Sequence, residues 1–124
     1  MIKPKSALNI QDKYSVPIET LDAYCRDRKI GRIDILKIDT QGFEDECLAG
    51  AAELLQEGRI GMIKLEIMLH ETYDKRTTFH AIEHFLLPHG YLLYDISWIK
   101  KSSYEKRTLV LDVIYIHSSY LDAK

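Results

Sequence analysis

Apolar and polar positions change their period several times along the chain, and each change marks an element. Residues 33 to 39, IDILKID, are a short, mostly β-branched and apolar run that suits a strand covered on both faces, as in parallel sheets. In GFEDECLAGAAELLQEG, residues 42 to 58, Phe43, Cys47, Leu48, Ala51, Leu54 and Leu55 fall on one helical stripe. Acids crowd its first turn and Gly58 stands at its stop. Residues 61 to 69, GMIKLEIML, read as a second buried strand, followed by the polar loop HETYDKRT. Thr77 or Thr78 then opens a helix with Phe79, Ile82, Phe85 and Leu86 inward, stopped around PHG. YLLYDIS predicts a third strand, WIKKSSYEKR a basic loop and TLVLDVIYIH a fourth strand.

Before the first strand, VPIETLDAYCRDRKIGR predicts a helix capped by Thr20, with Leu21, Tyr24 and Cys25 at helical spacing and Gly31 at its end. Residues 1–15 show no clear period and read as an irregular lead-in to one domain over residues 16–124. Strands alternating with helices give a parallel sheet with helices on its faces. No helix separates the last two strands, so the final one is expected to run antiparallel to its predecessor. The fold class is therefore α/β, with a mixed sheet of about four strands.

The chain of 124 residues is long enough to bury a real core, and 46% hydrophobic with 29% charged residues matches an ordinary globular protein. Seventeen basic and nineteen acidic residues leave a charge of -2, which offers no general attraction to nucleic acid or to an anionic membrane. No apolar run approaches the ~20 residues needed to span a bilayer, and the opening residues lack the apolar core of a secretory signal. A cytoplasmic location is the expectation. Cys25 and Cys47 lie far apart with no C-x-x-C or Cys/His cluster, and read as reduced thiols.

In open parallel sheets, ligands bind beyond the carboxyl ends of the strands. Those ends deliver Asp39, Thr40, Gln41 and Gly42, then Glu66, His70 and Glu71, then Asp95, Ser97 and Trp98. From the local pattern, Asp39 is either a helix cap or a site residue. Lys37 is the odd residue inside the first apolar run, and Glu66 is its counterpart in the next. If their strands are neighbours in phase, the two share a face and pair; otherwise Lys37 snorkels past the sheet edge. His80 and His84 have i, i+4 spacing, but Glu83 is misplaced for H-E-x-x-H, and both imidazoles are expected on the outer or boundary face, so no metal site is assigned. The glycine-rich nucleotide loops and the G-x-S-x-G elbow are absent. A phosphoacceptor receiver domain would need an acidic pair ending its first strand, and the residues before 33 offer no such unit.

From Val16 onward the chain resembles the FkbM-type methyltransferases. VPIETLDAYCRDRKIGRIDILKIDTQGFEDECLAGAAELL resembles that family's segment with TLD, KID, G-x-E and a closing G-A. IKLEIMLHETYDKRTTFHAIEHFLLPHGYLLYDI and TLVLDVIYI are similar to its later segments, in the same order. The resemblance implies the C-terminal half of a Rossmann-like methyltransferase fold, using S-adenosylmethionine to methylate a hydroxyl of a sugar or natural product. It implies Asp39 as a catalytic and cofactor-facing residue, with Thr40 and Gln41 beside the cofactor. Glu66 and Tyr73 face the acceptor, and His70 is a second catalytic candidate because its ordinary pKa suits base work. The family's glycine-rich turn and ribose-binding acid belong to the domain's first half. Weak or absent cofactor binding by this chain alone is therefore expected, as is a homodimer or a complementary N-terminal half at the exposed sheet edge. A non-catalytic remnant or partner-dependent module is the alternative.

Overall fold

The computed structural model describes residues 12–69 and 77–121. These residues form four strands and four α-helices: α1 Leu21–Asp27, β1 Ile33–Ile38, α2 Glu44–Ala49, α3 Ala52–Gln56, β2 Ile60–Met68, α4 Phe79–Leu86, β3 Tyr91–Lys101 and β4 Thr108–His117. The sheet order is β1-β2-β4-β3. β1 and β2 are parallel, and β4 runs antiparallel to both β2 and β3. The expected mixed α/β sheet is present, with the last strand inserted between its two predecessors.

Alternation along the strands sorts residues onto two unlike faces. Ile38, Ile63, Leu65, Ile67, Val113 and Tyr115 enter one core with Leu48, Leu54 and Leu55 of α2 and α3 and with Ile82 and Leu86 of α4. Helices were expected on both faces of the sheet; the described helices supply a core to one. The opposite face carries Ile35, Lys37, Lys64, Glu66, Asp112 and Ile114, all exposed or half-buried, although Met68, Val110 and Ile116 on it are buried. β1 is an edge strand, and its Ile35 is 67% exposed.

Three elements differ from the sequence expectation for identifiable reasons. The helical stripe of residues 42 to 58 is split at Gly50 and Ala51, because the first turn of α1 docks there. The Asp22 backbone N–H donates to Gly50 O at 2.9 Å, while its carboxylate accepts from the N–H groups of Glu53 and Leu54 at 2.9 and 3.1 Å. Asp22 thus caps α3 from another helix, using the free N–H groups that any helix start presents. Secondly, α1 stops before Gly31, where Lys29 adopts the left-handed region with φ 56°. Thirdly, residues 98 to 101, read as loop, extend β3. The cap expected of Thr20 is present, at 3.1 Å to Ala23 N, and of the two candidates Thr77 and Thr78 it is Thr78 that caps α4, at 3.2 Å to Ala81 N. Among the described residues no helix is long and apolar enough to cross a membrane.

Two tyrosines close the core. The Tyr91 hydroxyl donates to Ile60 O at 2.8 Å, and the Tyr115 hydroxyl reaches Glu83 Oε1 at 3.5 Å. Burial pushes Tyr91 up to about 12, and burial with the nearby Glu83 carboxylate does the same for Tyr115. Folding therefore favours the neutral phenols: stability should hold below the ordinary tyrosine value of 10.0 and fall as pH rises toward about 12. Urea unfolding across that window should show the decline. The Tyr91→Phe, Tyr115→Phe double variant should flatten it, while losing on the order of 1 kcal/mol at neutral pH for the unmet Ile60 carbonyl.

Candidate functional site

The turn after β1 is built around a carboxylate that faces inward. Glu44, 1% exposed, accepts from Thr40 N at 3.1 Å, from the Thr40 hydroxyl at 3.2 Å and from Gly42 N at 3.1 Å. This wrapping requires left-handed backbone at two successive residues, Gln41 with φ 56° and Gly42 with φ 110°. Glycine has no Cβ to clash in that conformation. Thr77, 2% exposed, ties the turn to the segment leading into α4, its hydroxyl lying 3.2 Å from Gly42 O and 3.3 Å from Asp45 Oδ1.

Asp39 is consequently not the helix cap. Phe43 occupies the N-cap position of α2 without a side-chain hydrogen bond, and Glu44 has taken the free N–H groups of the turn. The Asp39 carboxylate accepts from Gln41 Nε2 at 2.9 Å and lies 3.6 Å from Lys37 Nζ. It lines a groove of about 860 Å³ beside β1, together with Leu21, Tyr24, Leu36, Phe43 and Cys47 among others. Thr40 spends its amide and hydroxyl on Glu44, and Gln41 shapes Asp39.

Glu66 lies on the opposite, polar face. The β1–β2 register sets Lys37 beside Lys64, and the β2–β4 register sets Glu66 beside Asp112. Lys37 and Glu66 do share a face, as their in-phase strands require. The expected ion pair between them is replaced by two others: Lys37 turns to Asp39, and Lys64 Nζ lies 3.3 Å from Asp112 Oδ2. Lys37 reaches its own partner past the sheet edge, where its side chain is 65% exposed. Glu66 is left between Asp39 and Asp112. Burial first, then repulsion from Asp39, Asp112 and Glu44, pushes its carboxyl above the ordinary value, with Lys100 offsetting part of the rise.

A transverse row thus forms at one level of the sheet: Asp39 just past the end of β1, Glu66 in β2, Asp112 in β4 and Trp98 in β3. Sequence reasoning named Asp39 and Glu66 but gave Glu44 and Asp112 no role at the site. The G-x-E spacing was visible for Glu44; nothing local showed that β4 would bring Asp112 beside Glu66. His70, Glu71 and Tyr73 lie outside the described residues. His80 and His84 are exposed on α4, and no group of metal-binding side chains forms among the described residues.

The family model for the methyltransferase FkbM domain matches residues 3–93. That is most of the chain, and the protein belongs to this family. The match includes the Asp39 turn and Glu66, and ends before Trp98 and the closing strand with Asp112. No curated protein and no solved structure matches the chain.

Glu44 and Asp39 should behave oppositely on substitution. Glu44→Ala should cost about 3 kcal/mol in urea unfolding, since it strands several buried donors, whereas Asp39→Ala should stay within about 0.5 kcal/mol. Glu66 supplies a sign test. Its raised carboxyl means that folding favours the protonated form, a contribution present in acid and lost as pH rises through the folded value. Glu66→Gln should accordingly be more stable than the parent at neutral pH, with the gap closing in acid. A less stable variant at neutral pH would instead reveal a favourable pair with a lysine.

Proposed function

We propose that this chain acts in the cytoplasm in S-adenosylmethionine-dependent methyl transfer to a hydroxyl of a sugar or natural product, and that it provides one wall of the pocket. The observation that carries the reading is Asp39: a carboxylate with no capping duty, at the carboxyl end of a parallel strand and beside an open groove, in a methyltransferase-family domain. The residues present fit part of the cofactor. The Asp39 carboxylate suits a cationic sulfonium, and the apolar groove wall of Leu21, Tyr24 and Phe43 beside it suits a flat base. The described residues offer no glycine-rich cradle for the amino-acid end.

When bound, the cofactor supplies an electrophilic methyl carbon. The chain's own residues position and deprotonate. Asp39 would hold polar groups of the cofactor, with the Thr40–Gly42 turn fixing where that carboxylate points. Alignment of the acceptor oxygen provides most of the rate gain in such a reaction. Among the described carboxylates Glu66 has the raised proton affinity that suits a general base, a role typically worth ~10²- to 10⁴-fold. His70, in the segment after β2, is the other candidate for that proton, and Tyr73 for contact with the acceptor.

A second reading is favoured by the edge of β1, which no strand pairs among the described residues and where Ile35 is exposed. Exposed apolar edges recruit further strands, so the same edge serves either a complementary strand carrying the other wall or a non-catalytic association between copies. Calorimetric titration with S-adenosylmethionine separates the readings. The chain alone should bind weakly or not at all, and the chain extended upstream should bind in the micromolar range. Asp39→Asn should weaken binding by the extended chain by roughly 10- to 100-fold, the worth of a charge-assisted hydrogen bond, without loss of fold. Micromolar binding by the chain alone would refute the one-wall reading. No binding by either form, together with a dimeric mass in light scattering, would favour the associating module.

A further inference from the structure

At the end of the sheet farthest from β1, the edge strand β3 is eleven residues long, and every residue after Tyr91 is exposed. Leu92, Leu93, Tyr94, Ile96, Trp98 and Ile99 are between 42% and 59% exposed. These side chains do not share one face. Pairing with β4 sets Ile96 and Ile99 opposite Val113 and Leu111 on the helix-covered side, and Leu92, Asp95, Trp98 and Lys100 opposite Ile116, Ile114, Asp112 and Val110 on the other. Extra residues at Tyr94 and Ser97 shift the register, so these faces follow β4 rather than a simple alternation. A helix laid on either face would cover only half of the apolar strip. A further strand beside β3 covers both halves at once, because its own side chains are divided between the same two faces.

The charges along β3 select which strand that is. Asp95 lies toward its start, Lys100 and Lys101 form its end, and the register places Asp95 and Lys100 on the same face. Two copies of β3 running antiparallel about a two-fold axis near Ser97 and Trp98 bring each Asp95 to the Lys100–Lys101 end of the other. The same axis gathers Ile96 and Ile99 of both copies on the helix-covered side. Opposite charges on neighbouring strands stabilise a pairing, and like charges oppose it. A parallel, in-register pairing of copies would set acid against acid and lysine against lysine. Lysines and bulges guard sheet edges against indiscriminate pairing, and here they leave the antiparallel geometry open. An interface of this kind uses the same patch on both copies and closes at two. It also leaves the β1 edge and the Asp39 groove clear.

We propose that the chain forms a homodimer through antiparallel pairing of β3 with β3 of a second copy, matched by Asp95 against Lys100 and Lys101 and by the apolar residues between them. The interface is separate from the β1 edge, and its test needs no cofactor. Light scattering on the full chain at micromolar concentration should give the mass of two copies. Asp95→Lys should weaken the association roughly a hundredfold, because it sets like charges together twice across the axis. The Lys100→Glu, Lys101→Glu variant should weaken it similarly, and serves alone should Asp95→Lys not fold. Mixed in equal amounts, the two variants should recover the two-copy mass, since each carries the complement of the other; a fold merely damaged by substitution would not recover. Ile35→Lys on β1 should leave the mass unchanged. A single-copy mass for the parent chain, a two-copy mass for the charge-reversed variants on their own, or no recovery when folded variants are mixed overturns the interface. A dimer that survives the β3 substitutions but is lost in Ile35→Lys overturns it in favour of association at β1. Recovery on mixing supports the β3 pair whether or not the upstream-extended chain binds S-adenosylmethionine, so failure of the methyl-transfer reading leaves it standing.

Discussion

The inward carboxylate of Glu44 is the constraint on which the candidate site depends. A buried anion is costly unless donors surround it, and here the Thr40 amide, the Thr40 hydroxyl and the Gly42 amide do so at the start of a helix, where the backbone dipole also favours negative charge. Satisfying one side chain folds the chain back sharply after β1. Gln41 and Gly42 then take up left-handed backbone, and Asp39, on the outer side of the same turn, has no helix N–H to serve. One acid is structural so that its neighbour five residues earlier can remain at the rim. The two differ in burial far more than in chemistry.

The sheet repeats this division of labour on a larger scale. Successive residues of β2 alternate between a helix-packed core and a polar face, so Ile63, Leu65 and Ile67 stabilise the fold while Lys64 and Glu66 are presented. Docking of α1 by Asp22 into the break between α2 and α3 serves the first face, since it lets two short helices follow the twist of one sheet where a single straight helix was expected. The polar face has no comparable apolar layer among the described residues. Its organisation comes instead from registers between strands distant in sequence.

That distinction explains what was legible beforehand. The strands, the Thr20 and Thr78 caps and the antiparallel return of β4 follow from periodicity and turn chemistry, which are local. The split at Gly50 was not legible, because it depends on a carboxylate from α1 thirty-odd residues away and the stripe itself is continuous. Nor was the direction of Trp98. The run YLLYDISWIKK carries no glycine or proline to announce a bulge, and only pairing with β4 shows that Ser97 is the extra residue. At the site, Asp39 and Glu66 were readable as strand-end acids, while Asp112 needed the insertion of β4 between β2 and β3. The condition for Lys37 and Glu66 to share a face, neighbouring strands in phase, is met, but side-chain reach, which sequence spacing does not encode, gave Lys37 to Asp39.

The charges on that face are arranged as two adjacent rows, and their pairing singles out one group. Lys37 and Lys64 lie side by side in the parallel register, a repulsive arrangement that is relieved only because each ammonium reaches a carboxylate one level further along the strands. Those carboxylates are Asp39 and Asp112, the two flanking Glu66. Burial raises the proton affinity of the Glu66 carboxyl between them, and repulsion from Asp39, Asp112 and Glu44 adds to the rise, with Lys100 offsetting part of it. The rise at Glu66 is thus set first by burial and then by carboxylates that reach it from two other strands and from the α2 turn. A helix laid over this face would have to bury both pairs and the acid between them at considerable cost. A hydroxyl-bearing ligand meets the same groups with donors, and needs only to displace water to do so.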